Sequence, residues 1–113
     1  MHDIDPVFDA FSRDPRIAEV VADAGFDDPL LLQSMYIFKQ PRIGGVVTPH
    51  QDGTFLVTDP PRCLGLWFAI EDADRTNGCL WALPGGHKAG LKSRFRRDGK
   101  GGTTLDVYDD SPY

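Results

Sequence analysis

The run from Cys63 to Ile70 constrains the fold more than any other part of the chain. It is apolar almost throughout and contains no charged residue. A strand with one solvated face alternates apolar and polar residues, so an uninterrupted apolar run of this length predicts a strand covered on both faces. The fold must therefore supply a layer on each side of it.

Two helices are predicted before this region. Asp5-Pro6 and Asp14-Pro15 each match a helix N-cap followed by proline at the first helical position. After Asp14, the apolar residues recur at helical spacing and predict a helix with one apolar face, made by Ile17, Val20, Val21 and Ala24. Gly25 follows as a stop signal.

From Leu30 onward the pattern changes to short apolar runs separated by turn residues. Asn77-Gly78, between two such runs, is a strong hairpin signal. The predicted strands are Leu30–Leu32, Met35–Phe38, Val46–His50, Thr54–Thr58, Cys63–Ile70, Cys79–Leu83 and Thr103–Tyr108. Short strands with regular turns predict a mainly β domain, an antiparallel sandwich or barrel, with N-terminal helices. A chain of 113 residues has room for one such domain.

Bulk properties exclude several functions. The formal net charge of −5 argues against a general nucleic-acid or anionic-membrane binder. The chain shows neither a membrane span nor a signal peptide. Cys63 and Cys79 are expected to be small buried residues, which fits a reducing cytoplasm. Residues 88–100 hold six basic side chains, and these either receive an anionic substrate tail or form a solvated face.

His50 and Asp52 carry the clearest chemical signal. In an extended segment the side chains of an H-x-D tripeptide point to the same side, so an imidazole nitrogen and a carboxylate oxygen can meet one metal ion. These are two of the three ligands in the 2-His-1-carboxylate triad that holds non-haem Fe(II). The alternative is that both residues only cap a turn after Pro49. Gln51, between them, would point to the opposite face.

The surrounding motifs resemble the phytanoyl-CoA dioxygenase family, in the branch of the phytanoyl-CoA dioxygenase domain-containing proteins. The similarity spans roughly residues 5 to 97. It rests on Ser34 to Pro41, Gly44-Gly45, Thr48 to Asp52, Leu64 to Ala73, Asn77 to Trp81 and Leu83 to His87.

The resemblance implies a double-stranded β-helix (jelly roll) with helices packed outside, and an Fe(II)- and 2-oxoglutarate-dependent dioxygenase that uses O₂ to hydroxylate a small molecule, anionic or acyl in type. His50 and Asp52 would hold the iron. Gln51 would lie near the cosubstrate, and Met35 and Trp67 would line its pocket. Core packing is the alternative for Met35, and for Trp67 it is compatible with the pocket role.

The resemblance also implies what the chain lacks. The family's distal histidine ligand and the arginine that binds the cosubstrate have no match here, and His87 occupies a different family position. Residues 1–113 are therefore expected to be a partial domain with both flanks missing, inactive alone and prone to self-association. The alternative to a dioxygenase is a non-catalytic β-barrel or an inert truncated chain.

Overall fold

The computed structural model describes all 113 residues, which divide into two units, Met1–Phe38 and Lys39–Tyr113. The first unit contains two α-helices, and the second contains two 3₁₀ turns and a β-hairpin. In chain order the elements are α1 Pro6–Ser12, α2 Pro15–Asp23, the 3₁₀ turns Asp52–Thr54 and Gly86–Ala89, and the strands β1 Ser93–Arg97 and β2 Thr103–Val107. None of the helices has the length and hydropathy that crossing a bilayer requires.

Both predicted helix starts are confirmed. The Asp5 carboxylate accepts the backbone N–H groups of Val7 at 2.9 Å and Phe8 at 3.2 Å, at the start of α1. The Asp14 carboxylate accepts the N–H of Arg16 at 2.9 Å and is also bound by the Arg16 guanidinium. Each cap accepts hydrogen bonds from N–H groups that the first helical turn leaves unpaired. The proline that follows has no N–H group, and at the first helical position such a group would have no partner within the helix.

The end of α2 and the N-terminal residues are also fixed by local contacts. Gly25 has a φ of +85°, a conformation that favours glycine, so its predicted role as a stop is confirmed. His2 is buried, and its Nδ1 lies 2.7 Å from the Ser34 hydroxyl oxygen. That oxygen also accepts the His2 backbone N–H at 3.2 Å. The segment before α1 is thereby tied to the segment after α2.

The hairpin is the only sheet in the structure. Strands β1 and β2 are antiparallel, with Ser93 opposite Val107 and Arg97 opposite Thr103. The strand predicted at Thr103–Tyr108 is confirmed, and it ends one residue earlier. Strand β1 was not predicted, because its charges suggested a solvated segment. Its period-two alternation was nevertheless present in the sequence.

One face of β1 packs against the first 3₁₀ turn and the residue after it. Thr54 is 3% exposed, and its hydroxyl lies 3.4 Å from that of Ser93. The rings of Phe55 and Phe95 have centroids 5.8 Å apart. Because Ser93 and Phe95 are two residues apart on a strand, both side chains point to the same face.

The six other predicted strands do not form. A strand requires a partner whose backbone completes its hydrogen-bond ladder, and these runs have none in the structure. The turn at Asn77-Gly78 does form, with Gly78 at a φ of +90°, but the flanking runs do not pair. The prediction of a strand buried on both faces at Cys63–Ile70 is therefore wrong for this structure.

Burial shows the same difference between prediction and structure. No apolar side chain is buried in either unit, and Ile70, at the end of the long apolar run, is 69% exposed. Cys63 is exposed and Cys79 half-buried, both as free thiols, so the expectation that they are buried is also wrong. The runs have the composition of core strands without the neighbours that would cover them.

We predict that the isolated chain self-associates. Exposed contiguous apolar surface gains free energy when it is covered by another copy. Sedimentation velocity over a concentration series should show a rising mean mass, and Leu66→Asp, within the apolar run, should reduce it. A purified monomer with a sharp, reversible and concentration-independent unfolding transition would contradict this prediction.

We also predict that acid weakens the start of α2. The side chain and then the backbone N–H of Arg16 lower the pKa of Asp14 to about 2. Because this pKa lies below the unfolded value of about 3.9, the cap's contribution is present above that pH and is lost as pH falls through about 2. The Cα chemical shifts of residues 15–23 should move toward random-coil values as the pH falls over this range. In Asp14→Asn, which has no carboxylate at this position, this pH-dependent change should disappear. An unchanged pH dependence in the variant would contradict the assignment to Asp14.

Candidate metal centre

The side chains of His50 and Asp52 converge on one point. Gln51 between them is extended, with φ −110° and ψ 130°, and Asp52 begins the 3₁₀ turn. This backbone directs the side chains on either side of Gln51 the same way, as the sequence spacing predicts. His50 Nε2 lies 3.3 Å from Asp52 Oδ1.

That separation suits two ligands of one cation. Ligand atoms about 2.1 Å from a metal and at right angles to each other are about 3 Å apart. An imidazole nitrogen with a carboxylate oxygen is also the mixed donor set that divalent transition metals accept. The side chains of His50 and Asp52 are 40% and 52% exposed, so an ion can reach both atoms from solvent. The pair therefore fits two neighbouring ligands of a divalent metal.

A backbone carbonyl fixes the orientation of the His50 ring. His50 Nδ1 lies 2.7 Å from the carbonyl oxygen of Thr48, and a carbonyl can only accept, so Nδ1 carries the hydrogen. In the neutral ring this leaves the lone pair on Nε2, the nitrogen that faces Asp52. Metal-binding histidines commonly use such a bond to select the tautomer and hold the ring.

The Asp52 carboxylate is confined by the segment that follows Cys63. A β-carbon on Gly65 would lie 2.8 Å from Asp52 Oδ2, closer than real β-carbons approach other atoms. Because Gly65 has no side chain, the Asp52 carboxylate can occupy this space. Partial burial and then the negative charge of Asp52 raise the pKa of the Cys63 thiol, which keeps it protonated and poorly nucleophilic at neutral pH.

Gln51 and Trp67 lie in different surroundings from the pair. The Gln51 amide binds backbone atoms of Gly90 and Lys92. Trp67 lines an open groove of about 780 Å³, whose other lining residues are Ala69–Ala73, Cys79 and Leu80, and not His50 or Asp52. The groove includes two carboxylates, from Glu71 and Asp72, which disfavour an anion there unless a cation accompanies it.

His87 is not grouped with the pair. Met35 belongs to the first unit, and the pair to the second; the Met35 side chain is 67% exposed. His87 lies on the second 3₁₀ turn and is exposed. No group of three or more histidine, cysteine, aspartate or glutamate side chains is arranged to hold a metal ion. In residues 1–113, His50 and Asp52 are thus the two candidate ligands that converge.

Comparison with known proteins identifies the family. The family profile described as "Phytanoyl-CoA dioxygenase (PhyH)" matches residues 1–112. The chain belongs to the phytanoyl-CoA dioxygenase family. This membership agrees with the resemblance seen in the motifs.

Named relatives give the extent of the similarity. The chain is 54% identical over 112 residues to "Phytanoyl-CoA dioxygenase 1" of Oryza sativa subsp. japonica, covering 99% of this chain and 38% of the relative. It is 51% identical over 98 residues to "Phytanoyl-CoA dioxygenase domain-containing protein 1" of Rattus norvegicus, covering 86% of this chain and 34% of the relative. The chain thus spans just over a third of the length of these relatives. No solved structure matches.

Sequence reasoning missed the residues that support the pair. Thr48 could have been found, because it lies two residues before His50 on a segment predicted as extended. Gly65 had a weaker signal, as a glycine inside an apolar run, which often marks close approach of another group. Nothing in the sequence indicated that Gln51 reaches residues 39 and 41 positions further along the chain.

We predict that Gly65→Ala weakens divalent-metal binding by roughly tenfold, because the new methyl displaces Asp52, and disturbing such supporting groups typically costs 10–100-fold. Mn²⁺ titration calorimetry measures this. Gly45→Ala is the matched control, since its β-carbon would meet nothing within 4 Å. Equal affinities for the two variants would show that Gly65 does not confine the carboxylate.

Proposed function

We propose that this chain forms part of an Fe(II)- and 2-oxoglutarate-dependent dioxygenase in which His50 and Asp52 are two of the iron ligands. The observation that carries the proposal is the 3.3 Å approach of His50 Nε2 to Asp52 Oδ1, with the other ring nitrogen bound to Thr48. Membership of the phytanoyl-CoA dioxygenase family supports it.

Each residue at the pair has a separate task. His50 offers Nε2 as the nitrogen donor, and the bond from its Nδ1–H to the Thr48 carbonyl holds the ring in that orientation. Asp52 offers an anionic oxygen, which lowers the net charge of a bound dication. The bound iron would supply activation of O₂, coupled to decarboxylation of 2-oxoglutarate and hydroxylation of a C–H bond. The two side chains would hold the ion together, and further ligands would come from outside the pair.

Met35, Gln51 and Trp67 are the proposed cosubstrate contacts within this chain. Trp67 is 49% exposed and Met35 67% exposed, so both side chains are available to a ligand. The Gln51 amide keeps a second hydrogen on Nε2 and a second lone pair on Oε1 beyond its two backbone bonds, so it can still contact a bound molecule. The proposed fold that carries these residues is the jelly roll, in which β1 and β2 form one hairpin.

The proposed substrate is a small molecule, anionic or acyl in type. Among the basic residues of positions 88–100, Lys92 is paired with Asp109, and Arg96 with Asp106. The side chains of Lys88, Arg97 and Lys100 make no ion pair and are exposed. Arg94, the sixth basic residue, is half-buried, and its Nε has no hydrogen-bond partner. Lys88, Arg97 and Lys100 are therefore the exposed unpaired cations of the segment, and Arg94 is a further unpaired one that an anionic group could contact.

Mn²⁺ binding to the 113-residue chain tests the metal role. We expect His50→Ala and Asp52→Ala each to lower the affinity by roughly tenfold or more, because each removes one of two ligands. His87→Ala is the matched control, since it removes an exposed histidine outside the pair. If His87→Ala reduces affinity as much as His50→Ala does, or if none of the variants changes it, the proposed metal site is wrong.

The 113-residue chain alone is predicted not to convert 2-oxoglutarate to succinate at an enzymatic rate. Two protein ligands hold iron less firmly than the three of a facial triad. Succinate formation with Fe(II), ascorbate and O₂ should remain at the level of the His50→Ala variant. Strong iron-dependent turnover that His50→Ala abolishes would show that the chain, or a second copy of it, completes the triad.

A further inference from the structure

The Gln51 side chain joins two parts of the second unit. Its Nε2 donates to the carbonyl oxygen of Gly90 at 2.8 Å, and its Oε1 accepts the backbone N–H of Lys92 at 2.8 Å. One amide thus binds both sides of Leu91, in the way that a neighbouring strand would bind them. Gln51 is half-buried, which reduces competition from water for these bonds.

The residues after Gln51 continue along the same segment. A β-carbon on Gly53 would lie 3.5 Å from Leu91 Cδ1, within ordinary contact distance. The Thr54 and Ser93 hydroxyls and the Phe55 and Phe95 rings follow in the same order. Residues 51–55 therefore run beside residues 90–95, and the Gln51 amide makes the first contact of the series.

The location of Gln51 gives this contact consequences for the metal pair. Gln51 lies directly between His50 and Asp52, and its side chain is directed away from both. Fixing its amide to two backbone atoms restricts the backbone torsions on either side. Those torsions decide whether the His50 ring reaches the Thr48 carbonyl while its other nitrogen faces Asp52.

We infer that Gln51 is a positioning residue, whose amide, bound to Gly90 and Lys92, sets the geometry of the His50–Asp52 pair. The inference rests on the proposed function for its meaning in catalysis. The contact demands both a donor and an acceptor on one side chain. Glutamate has nearly the same shape but offers only acceptors when ionised, so it would face the Gly90 carbonyl with a second acceptor. Leucine of similar size offers neither group.

The first test needs no metal. The ¹⁵N and ¹H shifts of His50 Nδ1–H in the metal-free chain report whether this group donates to the Thr48 carbonyl. We expect one slowly exchanging, downfield Nδ1–H signal in the wild type, and its broadening or loss in Gln51→Leu and Gln51→Glu. Gln33→Leu is the matched control, because it makes the same change at an exposed glutamine of the first unit. Cross-peaks of β1 and β2 residues should stay in place in all variants, which shows that the hairpin remains folded.

The variants distinguish positioning from packing. If Gln51→Glu behaves as the wild type does, side-chain volume alone suffices and the inference is overturned. It is equally overturned if Gln51→Leu leaves the His50 shifts unchanged.

Mn²⁺ affinity is the second measurement, with an expected loss of roughly tenfold in both Gln51 variants. Failure of the wild type to bind Mn²⁺ would count against the proposed function, while the metal-free shifts would still decide the role of Gln51.

Discussion

The two hydrogen bonds of the Gln51 amide are the interaction on which the rest of the candidate site depends. They attach the 3₁₀ turn that begins at Asp52 to the segment leading into β1. Thr54 and Phe55 extend that attachment to Ser93 and Phe95. The hairpin gives this support an ordered backbone, because the N–H and C=O groups of alternate β1 residues are paired with β2.

The segment that supports the turn is itself fixed from its other side. The Lys92 ammonium binds the Asp109 carboxylate at 2.6 Å and the Ser111 hydroxyl at 2.8 Å, and it lies 5.4 Å from the centre of the Tyr113 ring. The bond from Lys92, followed by side-chain and backbone hydrogen bonds from Ser111, lowers the pKa of Asp109. The Lys92 side chain is 13% exposed, so this ion pair is better shielded from solvent than the other surface pairs.

Local signals in the sequence were the most reliable. The two aspartate caps, the glycine stop after α2 and the turn at Asn77-Gly78 depend on a few adjacent residues, and all four are present. The convergence of His50 and Asp52 was predictable for the same reason, since it needs only an extended residue between them. The apolar runs were misjudged because a strand is a property of two segments. Their composition indicates burial, but residues 1–113 do not supply the partners that would pair with them. Strand β1 was missed because its arginines indicated a solvated segment, although its residues alternate with the period of a strand.

Paramagnetic broadening by Mn²⁺ tests most directly whether the His50–Asp52 pair holds a divalent metal. Substoichiometric Mn²⁺ is added to ¹⁵N-labelled chain, and the loss of each amide signal is followed. The account predicts that signals of residues 48–54 and of Cys63 to Gly65 disappear first, while the far end of the hairpin around Arg97 and Thr103 persists. Broadening centred instead on the acidic residues Asp3, Asp5 and Asp9, or spread evenly along the chain, would contradict it.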